Sequence, residues 1–344
     1  MADTPPQVSV IIVNWNGCHH LPACLDSLAA QSFRDFEVIL VDNGSTDGSV
    51  ELVRERYPWV RLVELAVNSG FATGNNCGLE HARGEYLVTL NNDTMVAADW
   101  LEILAGAATT CPRAGMVGSR ICSFEDPDII DSIGVSICRD GMSRGRFRRR
   151  RWSSLQLGEL EPVLLPSACA ALYKRAMLDE TGFFDDDFFA YAEDSDLGLR
   201  GRLAGWDAIV ATRAVVCHKY SQTSGGFSPF KVHLVERNHY WLAVKTFPFT
   251  HLLALPLFTV LRYLEQFRQV LSGQGAGREF LEHRQARTAI IAALLKGFVA
   301  GWAGVPHMFV KRRKIMAARK ISMTEMAALL RRHRLSFKEL LAND

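Results

Sequence analysis

The sequence lacks an excess of charge of either sign. Its 344 residues include 39 Lys and Arg against 37 Asp and Glu, so the balance does not point to nucleic acid as a partner. Hydrophobic residues are plentiful at 48%, which excludes a disordered chain. Charge is nonetheless segregated, because acids predominate in residues 1–100 and cations in residues 311–344. We expect residues 1–100 to require bound cations and residues 311–344 to favour an anionic surface.

Two glycine-rich signatures of phosphate-binding loops are missing. Residues 14–19, after the first predicted strand, contain one glycine and do not match Gly-x-Gly-x-x-Gly, and no Gly-x-x-x-x-Gly-Lys-Ser/Thr loop occurs. These absences exclude a dinucleotide-dependent oxidoreductase and a P-loop protein. The eight cysteines include no Cys-x-x-Cys and no Cys/His cluster at zinc spacing. With no signal peptide predicted, this cysteine usage indicates a reducing, cytoplasmic compartment.

No stretch reads as an uninterrupted membrane span. Residues 246–261 contain no charged side chain, but they contain two prolines and fall short of the roughly 20 residues that a span needs. Residues 288–310 are long enough but are interrupted by Lys296. One apolar helix face is predicted in this second stretch, at Ile291, Leu295, Phe298 and Trp302. It favours a helix lying in the membrane interface, and a helix buried on the catalytic domain is the alternative.

The first hundred residues alternate predicted strands with predicted helices. Apolar runs predict strands at 8–13, 36–42, 60–66 and 85–91. Helical spacing occurs between them, at 20–31, 49–57 and 74–83. This alternation predicts an α/β fold with a parallel sheet, which is either one of two domains or one large domain with an appendage. Ligands of such sheets bind at the carboxyl ends of the strands.

All four predicted strand ends are rich in Asn, Asp and Gly. The segments that follow the strands are Asn14-Trp15-Asn16, Asp42-Asn43-Gly44, Asn68-Ser69-Gly70 and Asn91-Asn92-Asp93. Any one of them could be an ordinary turn, but four at one edge of a sheet favour a binding site. The last segment, with its carboxylate beside amides, is suited to hold Mg²⁺ or Mn²⁺ on a diphosphate.

A second acidic cluster lies in residues 188–200, FFAYAEDSDLGLR. Glu193, Asp194 and Asp196 fall within four residues, where mutual repulsion and the preceding aromatic residues would raise their pKa values. One of them could then act as a general base, although an acidic helix start can also serve only to compensate the helix dipole.

Two further features have both a structural and a functional interpretation. His218 follows an apolar run and is either a metal ligand or a packed or capping residue. Residues 144–151, RGRFRRRR, are a solvated basic loop or bind the phosphate of a lipid headgroup or of a lipid-linked acceptor, since arginine matches phosphate oxygens bidentately. No stacking platform for nucleic acid accompanies this run.

Five segments together resemble the family 2 glycosyltransferases of the GT-A fold, over residues 8–240. They occur in the family's order as VSVIIVNWN (8–16), VDNGSTDG (41–48), NSGFATGNNCG (68–78), LNNDT (90–94) and GFFDDDFFAYAEDSDLGLR (182–200). Gly205-Trp206, His218 and Arg237-Asn238 continue the resemblance. The LNNDT form is most similar to bacterial rhamnosyltransferases of O-antigen and other surface polysaccharides. It has Asn91 where the first Asp of the family's usual Asp-x-Asp stands.

The resemblance implies roles for individual residues. Asp42 would bind the nucleobase, Asn92 and Asp93 the ribose and the metal-bridged diphosphate, and His218 would be a further ligand of Mg²⁺ or Mn²⁺. Other implied contacts to the nucleotide-sugar are Asn14, Asn16, Asn43, Asn68, Gly70, Asn76 and Asn91. Asp194 would be the general base, with Glu193 orienting the acceptor. Candidate contacts to the acceptor or its phosphate are Trp15, Tyr191, Arg148, Arg149 and Arg200.

The resemblance also implies a fold and an organisation. We expect a mixed, mainly parallel sheet flanked by helices in a catalytic domain over residues 1–240. A membrane-associating helical region (241–310) and a basic tail (311–344) would follow, placing the protein peripherally at the inner face of the plasma membrane.

The implied reaction is an inverting transfer of a sugar from a nucleotide-sugar to a lipid-linked glycan acceptor, of the polyprenyl-diphosphate kind. Rhamnose from dTDP-rhamnose is the favoured donor sugar, and UDP- or GDP-sugars are alternatives. A non-catalytic subunit that binds a nucleotide-sugar is the other alternative, although the presence of both Asp93 and Asp194 weighs against it.

Overall fold

The computed structural model describes residues 4–219, 228–273 and 287–342. The chain forms two compact units. The first comprises Met1–Val135, Gly145–Gly201 and Trp206–Thr223, and the second comprises Ser136–Arg144, Arg202–Gly205 and Ser224–Asp344. We call them the N-terminal unit and the C-terminal unit. The predicted functional boundaries at residues 240 and 310 stay predictions.

Four parallel strands form one half of the main sheet in the N-terminal unit. They are β1 (Val8–Asn14), β2 (Phe36–Asp42), β3 (Arg61–Glu64) and β4 (Tyr86–Leu90), in the spatial order β4-β1-β2-β3. The prediction of these strands is confirmed. Asn14 stands opposite Asp42 in the parallel register of β1 and β2, so the polar residues at the strand ends are level with one another.

Helices connect these strands as the sequence predicts. They are α1 (Leu21–Ala29), α2 (Ser49–Arg56) and α3 (Gly70–His81), and a further helix, α4 (Trp100–Thr110), follows the fourth strand. The prediction for the third helix, from residue 74, was four residues late. The helix begins at Gly70 because this residue adopts a φ of +90° beside the Phe189 carbonyl, where a Cβ would lie 2.5 Å from that oxygen.

The other half of the sheet mixes strand directions. Its strands are β5 (Thr94–Val96), β6 (Ala114–Ser123), β7 (Ile130–Ser132), β10 (Leu160–Pro162), β11 (Ala170–Lys174) and β12 (Asp207–His218). Strand β11 runs antiparallel between β4 and β6, while β12 runs parallel to β6. Two shorter strands, β8 (Val135–Ile137) and β9 (Ser143–Gly145), pair with each other. The expected mixed sheet is thus confirmed.

Two helices of the N-terminal half of the chain lead to and carry the acidic cluster. They are α5 (Arg175–Thr181) and α6 (Glu193–Leu203), with short 3₁₀ helices at Trp152–Ser154 and Asp186–Phe188. Apolar side chains cover both faces of the sheet, since Val10 and Ile12 of β1 pack with Trp100 in one core and Ile11 packs with Leu87 in the other. Full burial of each such side chain contributes about 1.5–3 kcal/mol.

The C-terminal unit consists mainly of helices. These are α7 (Pro229–Thr246), α8 (Phe249–Ser272), α9 (Arg287–Ala303), α10 (Val305–Ala318), α11 (Met323–Arg332) and α12 (Phe337–Leu341). Helix α9 packs closely on α7 through two glycines. A Cβ at Gly297 would lie 2.6 Å from the His233 carbonyl oxygen, and one at Gly301 would lie 2.5 Å from the Tyr240 ring.

The predicted apolar helix over residues 288–310 is broken in the structure. It ends at Ala303, and α10 continues at an angle of 52° after Gly304, with Pro306 in its first turn. No single helix in the described part of the chain has the length and apolarity of a membrane span, whereas this bent pair has both when taken together.

Two helices of the C-terminal unit expose apolar faces. On α9, Ile291 is 48% exposed and Leu295 is 60% exposed, while Phe298 packs edge-on against Tyr240 at a ring-centroid distance of 5.8 Å. The exposed apolar stripe of α8 consists of Phe249, Leu253, Leu257, Val260, Leu261, Leu264, Phe267 and Leu271. Apart from the adjacent Val260 and Leu261, these α8 residues recur every three or four positions and therefore share one helix face.

A charged network lies at the centre of the C-terminal unit. Arg262 is fully buried, and its guanidinium contacts Asp140 Oδ2 and both oxygens of Glu236, the latter at 2.9 and 3.0 Å. Tyr263 Oη donates to Glu236 Oε1 at 2.6 Å, and a ring nitrogen of His239 lies 2.8 Å from the Asp140 carbonyl oxygen. Each buried charge thus has an opposite charge in contact.

Candidate active site

A row of hydrogen-bonded side chains lies at the carboxyl ends of β1, β2 and β4. Asn14 Nδ2 donates to Asp42 Oδ1 at 3.2 Å, and Asn92 Nδ2 donates to Asn14 Oδ1 at 2.7 Å. The Ser45 N–H donates to the other Asp42 oxygen at 2.9 Å. A Cβ at Gly17 would lie 2.2 Å from Asn92 Nδ2, so a larger residue there would displace this row. The structure thus brings three predicted donor-binding residues into contact.

A second polar group follows β2 and β3. Asn43 Nδ2 donates to Asn68 Oδ1 at 3.1 Å, and Asn43 Oδ1 accepts from the Ser69 N–H at 2.9 Å. Asn68 Oδ1 also accepts from the Gly70 N–H at 3.0 Å, which fixes the start of α3. Asn43 is joined to the first row, because its N–H donates to the Asn14 carbonyl at 2.7 Å. The predicted residues of this edge therefore form one connected polar surface.

His218 lies between two carboxylates. Its Nε2 is 3.2 Å from Asp93 Oδ1, and its Nδ1 is 2.9 Å from Asp131 Oδ2. Strand β12 ends at His218, which pairs with Thr94 of β5, directly after Asp93. Arg148 Nε lies 3.8 Å from the other Asp131 oxygen. The structure therefore gathers Asp93, His218 and Arg148, all predicted site residues, around Asp131.

The protonation states in this group are coupled. Burial alone would lower the pKa of His218, but Cys169, Asp131 and Asp93 hold it well above its ordinary value. Because burial raises the pKa of Cys169, its sulfur stays a neutral thiol near pH 7, and the two carboxylates stabilise the imidazolium. Burial would raise the pKa of Asp93, yet its contact with His218 keeps that pKa below the usual range.

Asp93 and His218 have the chemistry of a divalent-cation site. Asp93 Oδ1 is buried and accepts no well-aligned hydrogen bond from the described residues. The contact of His218 Nδ1 with Asp131 leaves Nε2 facing Asp93, as in histidine ligands held by a carboxylate. No three His, Cys, Asp or Glu side chains within residues 4–219, 228–273 and 287–342 converge as a preformed metal centre. Mg²⁺ or Mn²⁺ would therefore take its remaining ligands from phosphate and water.

The acidic cluster at the start of α6 contains three carboxylates in different environments. Asp196 is fully buried and paired with Arg200 at 2.7 Å. Arg200 also donates to the Thr181 carbonyl at 2.6 Å and to the Phe183 carbonyl. Asp196 and Arg200 thus stabilise the turn that leads to the cluster, and the Arg200 guanidinium donates to this turn.

Asp194 and Glu193 have no such cation in contact among the residues that the structure describes. Asp194 accepts from the Ala168 N–H at 3.3 Å and from Ser195 Oγ at 3.1 Å, while Glu193 Oε2 is buried without a hydrogen-bond partner among the described residues. Burial and the neighbouring Asp194 raise the pKa of Glu193 to about 8. Burial also raises the pKa of Asp194, although its two donors stabilise the anion. Near neutral pH, Glu193 is therefore the more readily protonated of the two carboxyls, and Asp194 is the one whose anion is stabilised.

The loop before this cluster has unusual backbone geometry. Phe189, Tyr191 and Ala192 all adopt a left-handed φ, of 64°, 69° and 66°. Each such non-glycine residue costs on the order of 1 kcal/mol or more. The Phe189 carbonyl accepts from the Ala72 N–H at 3.0 Å, which ties the loop to α3. A strained segment therefore holds the acidic cluster in place. Tyr191, a candidate contact to the acceptor, belongs to this segment.

The remaining predicted residues lie in varied settings. Asn16 accepts at Oδ1 from the Thr46 N–H at 2.8 Å, so it lines the same edge as Asp42. Trp15 is 40% exposed beside it in sequence, and Asn91 is half-buried at the end of β4. Asn76 does not join the rows, because its amide donates to the Phe184 carbonyl at 2.9 Å and to Asp186 at 2.7 Å.

The arginines of residues 144–151 have separate partners. Arg144 donates to the carbonyls of Leu340 and Ala342 within the C-terminal unit, at 2.9 and 2.7 Å. Arg151 Nη1 is 3.0 Å from Asp128, whereas Arg149 is exposed with a left-handed φ of 64°. The expected phosphate-binding run is thus divided among different partners, and Arg148 is the member placed in the His218 group.

Sequence reasoning missed two residues of the site. Asp131 lies far from Asp93 along the chain in a short strand without a recognisable motif, although the apolar pair Ile129-Ile130 before it suggests a strand. Gly17 is the single glycine of residues 14–19, which do not match a dinucleotide-binding loop. Its position one residue after the Asn14-Trp15-Asn16 segment was the signal that a close approach was needed there.

Comparison with known proteins agrees with this geometry. The family model described as glycosyl transferase family 2 matches residues 9–182. The N-acetylglucosaminyl-diphospho-decaprenol L-rhamnosyltransferase of Mycobacterium tuberculosis is 33% identical over 65% of this chain and 79% of that protein. The O-antigen biosynthesis protein RfbC of Myxococcus xanthus is 29% identical over 69% of this chain, which spans 19% of RfbC.

A solved structure shares the fold. The mannosyltransferase PcManGT from Pyrobaculum calidifontis, in complex with GDP-Man and Mn²⁺, superposes with a TM-score of 0.52 over 92% of this chain and 88% of that one, at 19% identity. A mixed sheet flanked by helices, polar residues gathered at its strand ends and a family match over half of the sequence lead to one conclusion. This chain belongs to glycosyl transferase family 2.

Proposed function

We propose that this protein is an inverting rhamnosyltransferase that transfers the sugar of a nucleotide-sugar to a lipid-linked glycan acceptor. The observation that carries the proposal is the polar edge of the sheet, where the row Asp42–Asn14–Asn92 adjoins Asp93, His218 and Asp131. The name of the mycobacterial relative supports the choice of rhamnose and of a polyprenyl-diphosphate acceptor.

The polar edge would bind the donor along its length. Asp42, with Asn14 and Asn16 beside it, would accept hydrogen bonds from the nucleobase, because its oxygens are already oriented by Asn14 and Ser45. Asn92 would contact the ribose, and Asn43 and Asn68 would line the same surface. Preformed hydrogen bonds reduce the free energy needed to order these side chains when the donor binds.

Asp93 and His218 would hold Mg²⁺ or Mn²⁺, which neutralises charge on the departing diphosphate when it is bound. His218 would have to release its Nε2 proton to act as a ligand, while Asp131 keeps its ring oriented. Asp93→Ala should therefore weaken donor binding, and measuring nucleoside diphosphate release in excess EDTA tests the need for the cation. Full activity in EDTA would remove Asp93 and His218 from the metal site.

Asp194 would accept the proton of the acceptor hydroxyl. The hydroxyl oxygen attacks the anomeric carbon on the face opposite the diphosphate, the bond from that carbon to the phosphate oxygen breaks, and the configuration inverts. The Ala168 N–H and Ser195 Oγ hold the Asp194 carboxylate in place, and the raised pKa brings it nearer to the operating pH of a general base. Glu193 would orient the acceptor or its loop.

We further propose that the protein attaches peripherally to the inner, cytoplasmic face of the plasma membrane. The exposed apolar faces of α8 and α9 support this placement. Cations of residues 311–334 would add attraction to anionic lipids, at about 1 kcal/mol for each cation near the surface. Vesicle sedimentation tests the proposal, since high salt should release only part of the protein from anionic vesicles. Absence of binding at low salt would contradict it.

The decisive experiment for the reaction is a donor panel. The protein is incubated with Mn²⁺, a polyprenyl-diphosphate-linked acceptor and, in turn, dTDP-rhamnose, UDP-hexoses, UDP-N-acetylhexosamines or GDP-mannose. We expect transfer and nucleoside diphosphate release with dTDP-rhamnose, and neither above background with the Asp194→Asn variant. Transfer from a UDP- or GDP-sugar instead would keep the mechanism and change the donor. No release from any donor would favour a non-catalytic, nucleotide-sugar-binding subunit.

A further inference from the structure

A small cavity with basic walls lies within the C-terminal unit. It has a volume of about 140 Å³ and is lined by residues of the β8–β9 loop, α8 and the end of α11. Among its lining residues are Arg139, His251, Phe258, Arg331 and Arg334, and none is acidic. Pockets for whole drug-sized ligands are larger, at roughly 300–1,000 Å³. This cavity is therefore of a size for one compact group, not for a nucleotide-sugar.

Backbone pairing brings the arginines together from distant parts of the chain. Ile137 forms a parallel bridge with Arg334, and the Leu335 N–H donates to the Ile137 carbonyl at 3.1 Å. This pairing sets Arg334 next to the loop that carries Arg139. The Arg139 guanidinium carbon lies 5.2 Å from the centre of the Phe258 ring, so the aromatic wall also positions this cation.

Positive charge predominates around the cavity. Arg139, Arg331 and Arg334 are exposed side chains, and none of them pairs with a carboxylate within 4.0 Å among the described residues. Glu339 offsets part of this charge, because the charge of Arg334 helps to lower the pKa of that carboxyl. Burial lowers the pKa of His251, and the charges of Arg139 and Arg331 lower it further. Solvent weakens the repulsion among exposed cations, and a bound anion would reduce it further.

The helix dipole explains only part of this cluster. Arg331 lies in the last turn of α11, and its Nε donates to the Ala327 carbonyl at 3.4 Å, as expected of a cation at a helix C-terminus. Arg139 belongs to another element and has no such reason to face the cavity. Three guanidinium groups from two separate segments, around one cavity with an aromatic wall, instead fit an anion that accepts several hydrogen bonds.

We propose that this cavity binds a phosphate group, with the guanidinium groups of Arg139, Arg331 and Arg334 donating to its oxygens and Phe258 contacting the apolar remainder of the ligand. Guanidinium groups match phosphate oxygens bidentately, which favours phosphate over a simple halide. The phosphate is either a free, water-soluble phosphate or the headgroup of a membrane phospholipid. None of the lining residues belongs to the proposed donor-binding set, and the proposal does not depend on the proposed reaction.

Two probes distinguish the sources of phosphate in the full-length protein. The first is inorganic phosphate followed by NMR of the His251 imidazole, whose pKa should rise when a bound anion offsets the charges of Arg139 and Arg331. The second is a set of phosphatidylcholine vesicles with and without phosphatidic acid, followed by sedimentation. Arg139→Gln and Arg334→Gln should each weaken binding about 10- to 100-fold, as expected for loss of a charged hydrogen bond.

Arg113→Gln is the control, because Arg113 is exposed, does not line the cavity and lies outside residues 311–334, whose cations are proposed to attract anionic lipids. The proposal is supported if phosphate or phosphatidic acid binds and Arg113→Gln retains this binding while Arg139→Gln loses it. A response to phosphate identifies a soluble ligand, and a response to phosphatidic acid vesicles alone identifies a lipid headgroup. The proposal is overturned if neither probe binds, or if the control loses binding as much as the two cavity variants do.

Discussion

Each unit contains a pair of carboxylates that are at least half shielded from solvent, and the two pairs differ in their surroundings. In the N-terminal unit, burial and mutual repulsion raise the pKa of Glu193 to about 8, and that of Asp194 is also raised. In the C-terminal unit, burial would raise the pKa of Glu236, but Arg262 lowers it to about 2. The difference is the cation in contact. A buried carboxylate paired with arginine stabilises the fold, whereas one without a cation is suited to take up and release protons.

The largest effect expected from this comparison is on catalysis. Asp194→Asn keeps the shape of the side chain but cannot accept a proton, so kcat should fall by roughly 10²–10⁴ with donor affinity nearly unchanged. Steady-state transfer assays and donor titrations measure the two quantities. Glu193→Gln is the control, since the protonated Glu193 is already neutral near pH 7. If Glu193→Gln abolished turnover while Asp194→Asn retained it, the two roles would be reversed.

Breaking the paired cluster should instead affect stability. Arg262→Met leaves Glu236 and Asp140 buried without their cation, which should cost about 3–5 kcal/mol in the free energy of unfolding. Denaturant unfolding followed by circular dichroism measures the change. Arg268→Met is the matched control on the same helix, because Arg268 is exposed and its solvent-screened pair with Glu265 should contribute little to stability. Equal effects of the two variants would show that the buried network does not stabilise the unit.

The contributions of Glu193 and Glu236 to the free energy of unfolding should change with pH in opposite directions. The folded-state pKa of Glu193 is raised above its unfolded value, so its contribution to stability is present at low pH and is lost as the pH rises toward 8. The folded-state pKa of Glu236 is lowered to about 2. Its contribution to stability is therefore present above the pKa of the unfolded state and is lost as the pH falls toward 2. Glu193→Gln should therefore gain stability relative to the unmodified protein between pH 5 and pH 8.

Unfolding curves at pH 5 and pH 8 measure this gain, with each unit of pKa difference corresponding to about 1.4 kcal/mol. Glu180→Gln, a change at an exposed carboxylate of the same unit, serves as the reference for general charge effects. A gain that was the same at both pH values would mean that Glu193 is ionised in the folded protein even at pH 5.

The smallest expected effect concerns the strained loop that holds the reactive pair. Ala192 has a φ of 66°, so Ala192→Gly should stabilise the protein by up to about 1 kcal/mol, against the usual direction for such a change. Thermal unfolding measures it. Ala105→Gly, within α4, should destabilise by about 0.5–1 kcal/mol or more. Destabilisation of equal size in both variants would show that the loop is not strained at Ala192.

The parts of the fold that local periodicity determines could be predicted from the sequence. Strands β1 to β4 are apolar runs of strand length bounded by polar residues, and the helices between them have a buried stripe, so neighbouring residues alone define them. The break before α10 has a local signal in Gly304 and Pro306 that periodicity does not capture, whereas the early start of α3 at Gly70 depends on its contact with the distant Phe189. They could not be read from spacing.

In the candidate site, too, local sequence patterns predict some contacts, and other contacts depend on residues far apart in the chain. Asp42, Asn14 and Asn92 could be predicted to meet because parallel strands end at one edge of the sheet. Asp131 reaches His218 through the antiparallel pairing of β7 with β6, for which the sequence has no local signal. The buried network around Arg262 was likewise missed, because an arginine in an otherwise apolar helix predicts a surface position until its partners are known.

The exposed stripe of α8 has a practical consequence at the bench. Eight large apolar side chains along one helix face will favour contact with any amphiphile, plastic wall or second molecule in a purified preparation. We therefore expect yield, apparent size in gel filtration and specific activity to depend on the detergent in the buffer and on protein concentration. Variants of the catalytic unit are comparable only when both are matched, since a change in detergent could otherwise be mistaken for a change in turnover.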